Sequence, residues 1–214
     1  MRTAKYKLTE ETINVNGITL YRIEALKDFS DVKKGDKGGF LEKEYNLSQE
    51  DNCWVYGNAK VYDDAVVYGN AEVFGNAVVC GHSKVCGNAI VYGRAKVCEN
   101  AKVRNEAKVH DDAVVCGHAK VCDNAEVFGK AKVSGNAVVS DKAWVCGDAE
   151  VFNSAAIYDN AIIYDNAVVC GNAKIYGNAR VYCDTVVCGK AEVCGYSKIY
   201  GNAVICGNMK ICRK

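Results

Sequence analysis

The apolar residues of this chain recur with a period of six from Val55 to Ile211, without an insertion or a deletion. Every sixth residue is Val or Ile, and the residue two places before it is small, nearly always Ala. Side chains alternate along a strand, so the small residue and the Val or Ile share one side. A pair such as Gly-Asn or Asp-Asn completes each hexad, and these residues accept the backbone angles of a tight corner. The pattern predicts short strands joined by two-residue corners.

An unbroken series of such strands cannot reverse direction and still keep its apolar side chains inside. It can wind as a coil in which three hexads form one triangular turn. Each strand then stacks on the strand three hexads later, and repeats of this period are typical of a parallel β-helix. We therefore expect residues 53–214 to form an all-β, triangular solenoid of about nine 18-residue coils.

The first 52 residues lack the hexad. Two alternating apolar runs, 12–15 and 18–23, flank Asn16-Gly17, which is a strong two-residue signal for a β-hairpin. The exposed strand edges of a first coil would otherwise recruit other strands. Residues 1–52 are therefore predicted to form a small N-terminal β-hairpin cap and lead-in.

The phrase Val91-Tyr92-Gly93-Arg94-Ala95-Lys96 and its copies resemble the left-handed hexapeptide-repeat family over most of the chain. The left hand is implied by this resemblance, because general crossover statistics favour the right. Residues 22–26, 35–41 and 44–48 resemble the leader of hexapeptide-repeat proteins of unknown function that are common in bacteriophages and prophages. This second resemblance implies a phage or prophage origin.

Charge and composition restrict the partners. A formal net charge of +1 argues against a dedicated polyanion binder, so nucleic acid is not an expected partner. The chain shows no signal peptide, and no stretch approaches the roughly 18 apolar residues that span a bilayer. We expect a cytoplasmic protein without a membrane partner. Its 13 cysteines are then reduced thiols, and all but Cys53 and Cys183 hold the outward position after an inward Val or Ile.

Outward residues taken in steps of three hexads define three faces. The first face ends in an uncharged patch formed by Val168, Cys170, Val186, Cys188, Val204 and Cys206. Contiguous apolar patches mark interfaces, which predicts a homodimer or homotrimer or a partner contact here. The alternative is the ordinary strand propensity of β-branched residues. The stacked thiols are not expected to bind metal, because a straight row is a poor tetrahedral shell.

The other two faces are basic and aromatic. The second carries a basic stripe, defined as Lys84, Lys102, Arg104 and Lys120, which suits an acidic partner or phosphates, or else is a solvated face. The third carries an aromatic face, which consists of Phe74, Tyr92, Phe128, Trp144, Tyr164, Tyr182 and Tyr200, with His110 in the same column. Aromatic residues in register stabilise a sheet by stacking, or they receive a partner.

Two histidines are the remaining catalytic candidates. Enzymes that the resemblance implies include acyltransferases, which use a histidine at a cleft between subunits, and zinc carbonic anhydrases. His82 and His118 occupy one corner two turns apart, about 9.6 Å by strand spacing, which is too far for one zinc ion. Asp123 stands where the carbonic anhydrase pattern requires its third histidine. We expect no metal and no cofactor.

These observations favour a non-enzymatic, rigid β-solenoid that acts as a binding or scaffold protein. With the implied phage or prophage origin, its partner is predicted to be a host protein, such as a component of a defence system. The first alternative is an acyltransferase-like enzyme with a site at a subunit groove near His82 or His118. The second alternative is a structural component of a phage particle.

Overall fold

The computed structural model of the protein describes residues 4–214. Residues 1–3, which the sequence analysis includes in the cap, lie outside the described residues. The chain begins with strands β1 (Tyr6–Val15), β2 (Ile18–Ala25) and β3 (Lys37–Leu41), followed by a single-turn 3-10 helix at Glu44–Asn46. β1 and β2 form the predicted antiparallel hairpin around Asn16-Gly17.

The remaining strands are short and evenly spaced, as the hexad predicts. They are β4 (Trp54–Val55), β5 (Lys60–Val61), β6 (Val66–Val67), β7 (Glu72–Val73), β8 (Val78–Val79), β9 (Lys84–Val85), β10 (Ile90–Val91), β11 (Lys96–Val97), β12 (Lys102–Val103), β13 (Lys108–Val109), β14 (Val114–Val115), β15 (Lys120–Val121), β16 (Glu126–Val127), β17 (Lys132–Val133), β18 (Val138–Val139), β19 (Trp144–Val145), β20 (Glu150–Val151), β21 (Ala156–Ile157), β22 (Ile162–Ile163), β23 (Val168–Val169), β24 (Lys174–Ile175), β25 (Arg180–Val181), β26 (Val186–Val187), β27 (Glu192–Gly195), β28 (Lys198–Ile199), β29 (Val204–Ile205) and β30 (Lys210–Arg213).

The strands form three parallel sheets, one for each face of the coil. The first sheet runs β3-β5-β8-β11-β14-β17-β20-β23-β26-β29, with the hairpin attached to β3. The second contains β6 to β30 in steps of three, and the third contains β4 to β28 in the same steps. Neighbouring strands pair in register three hexads apart, for example Val97 with Val115. The predicted parallel β-helix with a hairpin cap is confirmed. Its left hand stays a prediction.

Parallel pairing of strands begins in the segment that precedes the first hexad. Phe40 and Leu41 of β3 pair with Lys60 and Val61, and Leu47 forms a bridge with Val67. This first turn brings the solenoid to ten strands in the first sheet, one more than the hexad alone predicts. None of the described helices has the length and apolar character needed to cross a membrane.

The interior of the coil is filled by the small and β-branched positions of the hexad. Val91 and Ala95 have no solvent exposure, and the equivalent residues of the central turns are buried in the same way. Each fully buried Val or Ile contributes roughly 1.5 to 3 kcal/mol, so the core is a sum of many equal layers. Where Ser83 and Thr185 replace Ala, their hydroxyls donate to the carbonyls of Cys80 and Tyr182 at 2.8 and 2.7 Å.

A buried lysine connects the cap to the first coil. The Lys5 side chain is almost completely buried, and its Nζ donates to the carbonyls of Cys53 at 2.9 Å and Glu50 at 3.0 Å. Nζ also lies 3.4 Å from the Cys53 sulfur. Burial lowers the pKa of Lys5, because the charged form loses its hydration. These contacts satisfy carbonyl groups that the open end of a solenoid would otherwise leave unpaired.

The corners pack as closely as the strands. Gly171 has a φ of 71°, and a Cβ atom at this position would lie 2.8 Å from the backbone nitrogen and oxygen of Gly189. Gly207 stands in the same column of corners with a φ of 74°, but a Cβ atom there would meet no other atom within 4 Å. The two glycines therefore share a backbone conformation and differ in steric room.

We expect Gly171→Ala to destabilise the protein more than Gly207→Ala does. Both variants carry the cost of a left-handed alanine, about 1 to 2 kcal/mol, and only Gly171→Ala adds a backbone clash of about 1 to 3 kcal/mol. Urea unfolding followed by circular dichroism measures the difference. Equal losses in the two variants would show that corner packing does not limit the residue choice.

Candidate functional site

The basic stripe lies on the second face as a column of like charges. Lys102 of β12 stands directly opposite Lys84 on one side and Lys120 on the other. All three side chains are exposed, and none forms an ion pair or hydrogen bond with another described residue. Arg104 follows β12 on the same face. Like charges directly opposite each other in a sheet are destabilising. The three lysines therefore form a positive column without a described counter-charge, whereas the charge of Arg104 acts on Asp123.

Two open depressions lie along the stripe. One, of about 370 Å³, is lined by Asn100, Lys102, His118, Lys120 and Asn136. The other, of about 330 Å³, is lined by Tyr68, Lys84, Cys86, Lys102, Arg104 and Lys120. Both are formed by side chains that project from a flat sheet, because the coil as described from residue 53 onward ejects no loop that would enclose them. Both depressions are therefore open, unlike the enclosed cavities that are typical of small-molecule sites.

The two candidate histidines lie in different surroundings. His118 is exposed and lines the depression beside Lys102 and Lys120. His82 is also exposed, and its Nδ1 lies 3.4 Å from a carboxylate oxygen of Asp64. Asn100 occupies the same corner in the turn between them. The structure therefore does not bring the two imidazoles together. His118 shares a depression with Lys102 and Lys120, which are cations of the kind that bind anionic substrates.

The aromatic face consists of rings that stack on one another. Phe74, Tyr92, His110 and Phe128 form one stack with centroid separations of 4.9, 4.5 and 5.1 Å. Trp144 meets the end of this stack edge-on at 6.1 Å. A second stack joins Tyr164, Tyr182 and Tyr200 at 4.7 and 5.5 Å. Because most ring faces are occupied by neighbouring rings, few remain open to a ligand. A binding role for this face stays a prediction.

His110 is held in the first stack by two carboxylates. Its Nε2 lies 2.9 Å from Glu126 and its Nδ1 lies 3.3 Å from Asp111. Hydrogen bonds from the His110 ring and from the backbone nitrogen of Gly129 lower the pKa of Asp111, because they favour the ionised carboxylate. The ring is nearly buried and both nitrogens have partners, so His110 supports the sheet and is not open to a substrate.

The uncharged patch is present, but two of its cysteines are not free. β23, β26 and β29 pair in register, and Val204 is 61% exposed while Val168 and Val186 are half-buried. Cys188 and Cys206 are joined by a disulfide. The role of this patch in self-association or partner binding stays a prediction.

The expectation that every cysteine is a reduced thiol is wrong for four residues. Besides Cys188 and Cys206, Cys194 and Cys212 are also joined by a disulfide. In-register stacking explains the pairing, because it sets the Cα atoms 4.7 and 4.5 Å apart, within the usual range for disulfides. Amino-acid composition alone does not reveal this geometry.

A column of free thiols lies nearer the amino-terminal end of the first face. It consists of Cys80, Cys98 and Cys116, one on each of three successive turns. A hydrogen bond from Cys98 lowers the pKa of Cys80 to about 7, while the same contact raises the pKa of Cys98. The corner residue Glu99 lies beside the column and has a φ of 60°. The thiol column follows from the sequence pattern, but the role of Glu99 does not, because its only signal is an acidic corner residue directly after a cysteine.

The fold and its flat faces define the class as a hexapeptide-repeat-like β-helix protein. A family model described as "YdcK Beta solenoid repeat" matches residues 131–147, 155–171 and 173–189. A protein of Escherichia coli (strain K12) named "Uncharacterized acetyltransferase YdcK" is 37% identical over 65 residues. The similar segment covers 27% of this chain and 20% of that protein. The likeness therefore concerns a small part of the relative.

Lys102→Glu is expected to stabilise the protein at low salt. It converts two like-charge pairs, with Lys84 and Lys120, into opposite-charge pairs, which raises the free energy of unfolding by about 0.5 to 2 kcal/mol. Urea unfolding measures the gain, which should shrink at about 1 M salt, where the screening length falls to about 3 Å.

The control for this variant is Lys132→Glu. Lys132 lies 3.1 Å from Glu150, so the same charge reversal there replaces an attraction with a repulsion and lowers stability. If Lys102→Glu lowered stability at low salt, the stripe would not be an electrostatic cost to the fold.

Proposed function

We propose that the protein is a rigid, non-enzymatic binding solenoid that presents the basic stripe to an acidic surface of a partner protein. One observation carries the proposal: Lys84, Lys102 and Lys120 stand opposite one another, and no described residue neutralises them. Such a column costs stability. Residues that lower stability are typical of functional surfaces, because binding supplies the missing interaction.

The shape of the face supports a macromolecular partner. The stripe spans two strand spacings, about 9.6 Å, and lies on a sheet whose strands are fixed by in-register hydrogen bonds. A surface that is already ordered loses little conformational entropy on binding. Small-molecule sites are typically concave and enclosed, whereas both depressions here are open.

The surroundings of the stripe favour an acidic protein over nucleic acid. Glu106 is exposed at the corner that follows Arg104, and Asp123 lies at the corresponding corner one turn later, stacked on Asn105. These carboxylates would repel a phosphate backbone that ran along the face. The net charge of +1 also provides little long-range attraction for a polyanion.

The biological setting is part of the proposal. A phage- or prophage-encoded, cytoplasmic protein of this kind would engage a host protein, such as a component of a defence system. Self-association through the uncharged patch into a dimer or trimer would place two or three stripes on one particle. Several linked stripes bind a multivalent partner more tightly than one stripe does, without any new contact.

The proposal predicts that the reduced protein binds poly-L-glutamate, a model acidic chain, through the stripe. The triple variant Lys84→Glu/Lys102→Glu/Lys120→Glu should bind at least about tenfold more weakly, since three surface charge contacts are lost. Fluorescence anisotropy at low salt measures affinity, and light scattering of the same samples measures the particle mass.

The matched control is Lys130→Glu/Lys142→Glu/Lys190→Glu, which changes the net charge equally at exposed corner positions. If both triple variants lost the same affinity for poly-L-glutamate, the loss would be due to net charge alone. That result would contradict a binding site at the stripe. Tighter binding of a double-stranded DNA of matched charge would contradict the choice of an acidic protein as partner.

A second candidate function is acyl transfer. The named relative from Escherichia coli and the position of His118 beside Lys102 and Lys120 support it. In this alternative the two lysines hold the phosphates of an acyl-coenzyme A, and His118 accepts a proton from the nucleophile.

The two candidates predict different outcomes with acetyl-coenzyme A. The binding proposal predicts no release of coenzyme A above the buffer rate when products are quantified by chromatography. Acyl transfer predicts turnover that His118→Ala abolishes and that His82→Ala, at the same corner but outside the depression, leaves unchanged. Turnover with this pattern would replace the binding proposal as the main function.

A further inference from the structure

The first face brings two thiols and a carboxylate together outside the basic stripe. The sulfur atoms of Cys98 and Cys116 and a carboxylate oxygen of Glu99 all lie within 4.8 Å of one another. The two cysteines are half-buried and Glu99 is exposed, so the group is partly shielded and still open to solvent. This cluster is independent of the proposed partner-binding surface.

The conformation of Glu99 is what completes the cluster. Glu99 stands at a corner, where its positive φ turns the side chain towards the next turn of the coil. There its Oε2 accepts a hydrogen bond of 2.8 Å from the backbone nitrogen of Gly117. The carboxylate is thereby held next to the residue that follows Cys116, with an oxygen within 4.8 Å of the Cys116 sulfur.

A straight row of thiols alone is a poor tetrahedral shell for a metal ion. Here Glu99 adds a carboxylate oxygen as a third ligand to the sulfur atoms of Cys98 and Cys116. Zinc–sulfur bonds are about 2.3 Å long, so two thiolates on a tetrahedral zinc ion lie about 3.8 Å apart. A side-chain adjustment of about 1 Å or less from the 4.8 Å limit achieves this spacing.

The surrounding charges also favour a cation. Two thiolates, one carboxylate and a zinc ion together carry a net charge of −1. Lys96 and Lys132, which are exposed on strands β11 and β17 of the same face and act on Cys116, lie close enough to offset this charge. A mixed set of sulfur and oxygen ligands suits zinc better than copper(I), which prefers sulfur alone.

We propose that Cys98, Glu99 and Cys116 bind one zinc ion through two thiolates and a carboxylate, with the fourth position open to solvent. Binding releases the two thiol protons and changes no other bond. Three protein ligands and an open position are the arrangement of zinc sites that accept an exogenous ligand rather than of closed structural sites. The site is formed by successive turns of one chain and does not require a second subunit.

Cobalt(II) is the probe for this site, because tetrahedral thiolate coordination gives it visible d–d bands and a near-ultraviolet charge-transfer band. The fully reduced, full-length protein should show these bands with saturation at one equivalent, and zinc should displace them. Glu99→Gln and Cys116→Ser should each weaken cobalt binding at least about tenfold. Loss of a residue that only positions a ligand already costs about that much affinity, and these variants change the ligands themselves. Cys116→Ser is compatible with the fold, because Ser134 occupies the same position one turn later.

Cys146→Ser is the matched control, because Cys146 holds the same outward position between Phe128 and Tyr164 and has no neighbouring thiol in its column. It should leave the bands unchanged. Alkylation followed by peptide mass spectrometry gives a second readout, in which zinc should protect Cys98 and Cys116 but not Cys146.

Three results would overturn the proposal. The first is the absence of a saturable band. The second is a band that survives Cys116→Ser but not Cys80→Ser, which would assign the metal to the other pair of thiols. The third is a Cys98–Cys116 disulfide that persists in reductant, since stacked cysteines elsewhere on this face are joined in that way.

Discussion

Stacking at a fixed interval of three hexads is the constraint on which the rest of the structure depends. The amide of Lys96 donates to the carbonyl of Ala113 at 2.9 Å, and the amide of Lys132 donates to that of Ala149 at 2.9 Å. One added residue within a strand would turn the inward side chains that follow it in that strand to the outside. The corners add a steric limit, because a Cβ at Gly171 would contact the backbone of Gly189. Together these contacts account for the strict spacing of the inward residues and for the small residues at such corners.

The same register makes each outward residue the neighbour of its counterparts one turn away. The contact that such stacked side chains form depends on their chemical type. Amides form ladders, as Asn52, Asn70 and Asn88 do with separations of 3.3 and 3.1 Å. Rings stack, and thiols pair as disulfides or hydrogen bonds. Lysines only repel each other, so the Lys84–Lys102–Lys120 column is the one among these whose members do not stabilise the sheet by their own contacts.

The sequence predicts what depends on register and misses what depends on local conformation. The parallel coil, its hairpin cap and the aromatic column follow from the hexad, from the Asn-Gly turn and from steps of three hexads. The first turn at Phe40 and Leu41 has no hexad, so only the observed pairing with β5 reveals it. The position of the Glu99 carboxylate follows from a corner φ and a hydrogen bond to Gly117, which periodicity does not specify. The buried Lys5 depends in the same way on contacts between distant segments.

Similarity of repeats must be separated from similarity of chemistry in this fold. The segments that match the β-solenoid repeat are residues 131–147, 155–171 and 173–189. The basic stripe, His118 and the Cys98–Glu99–Cys116 cluster all precede these segments. These segments contain the inward Ala, Val and Ile and the corner residues that any such coil requires for packing. A shared repeat is therefore evidence for the scaffold, and function has to be assigned from the outward residues, which each chain can vary without disturbing the core.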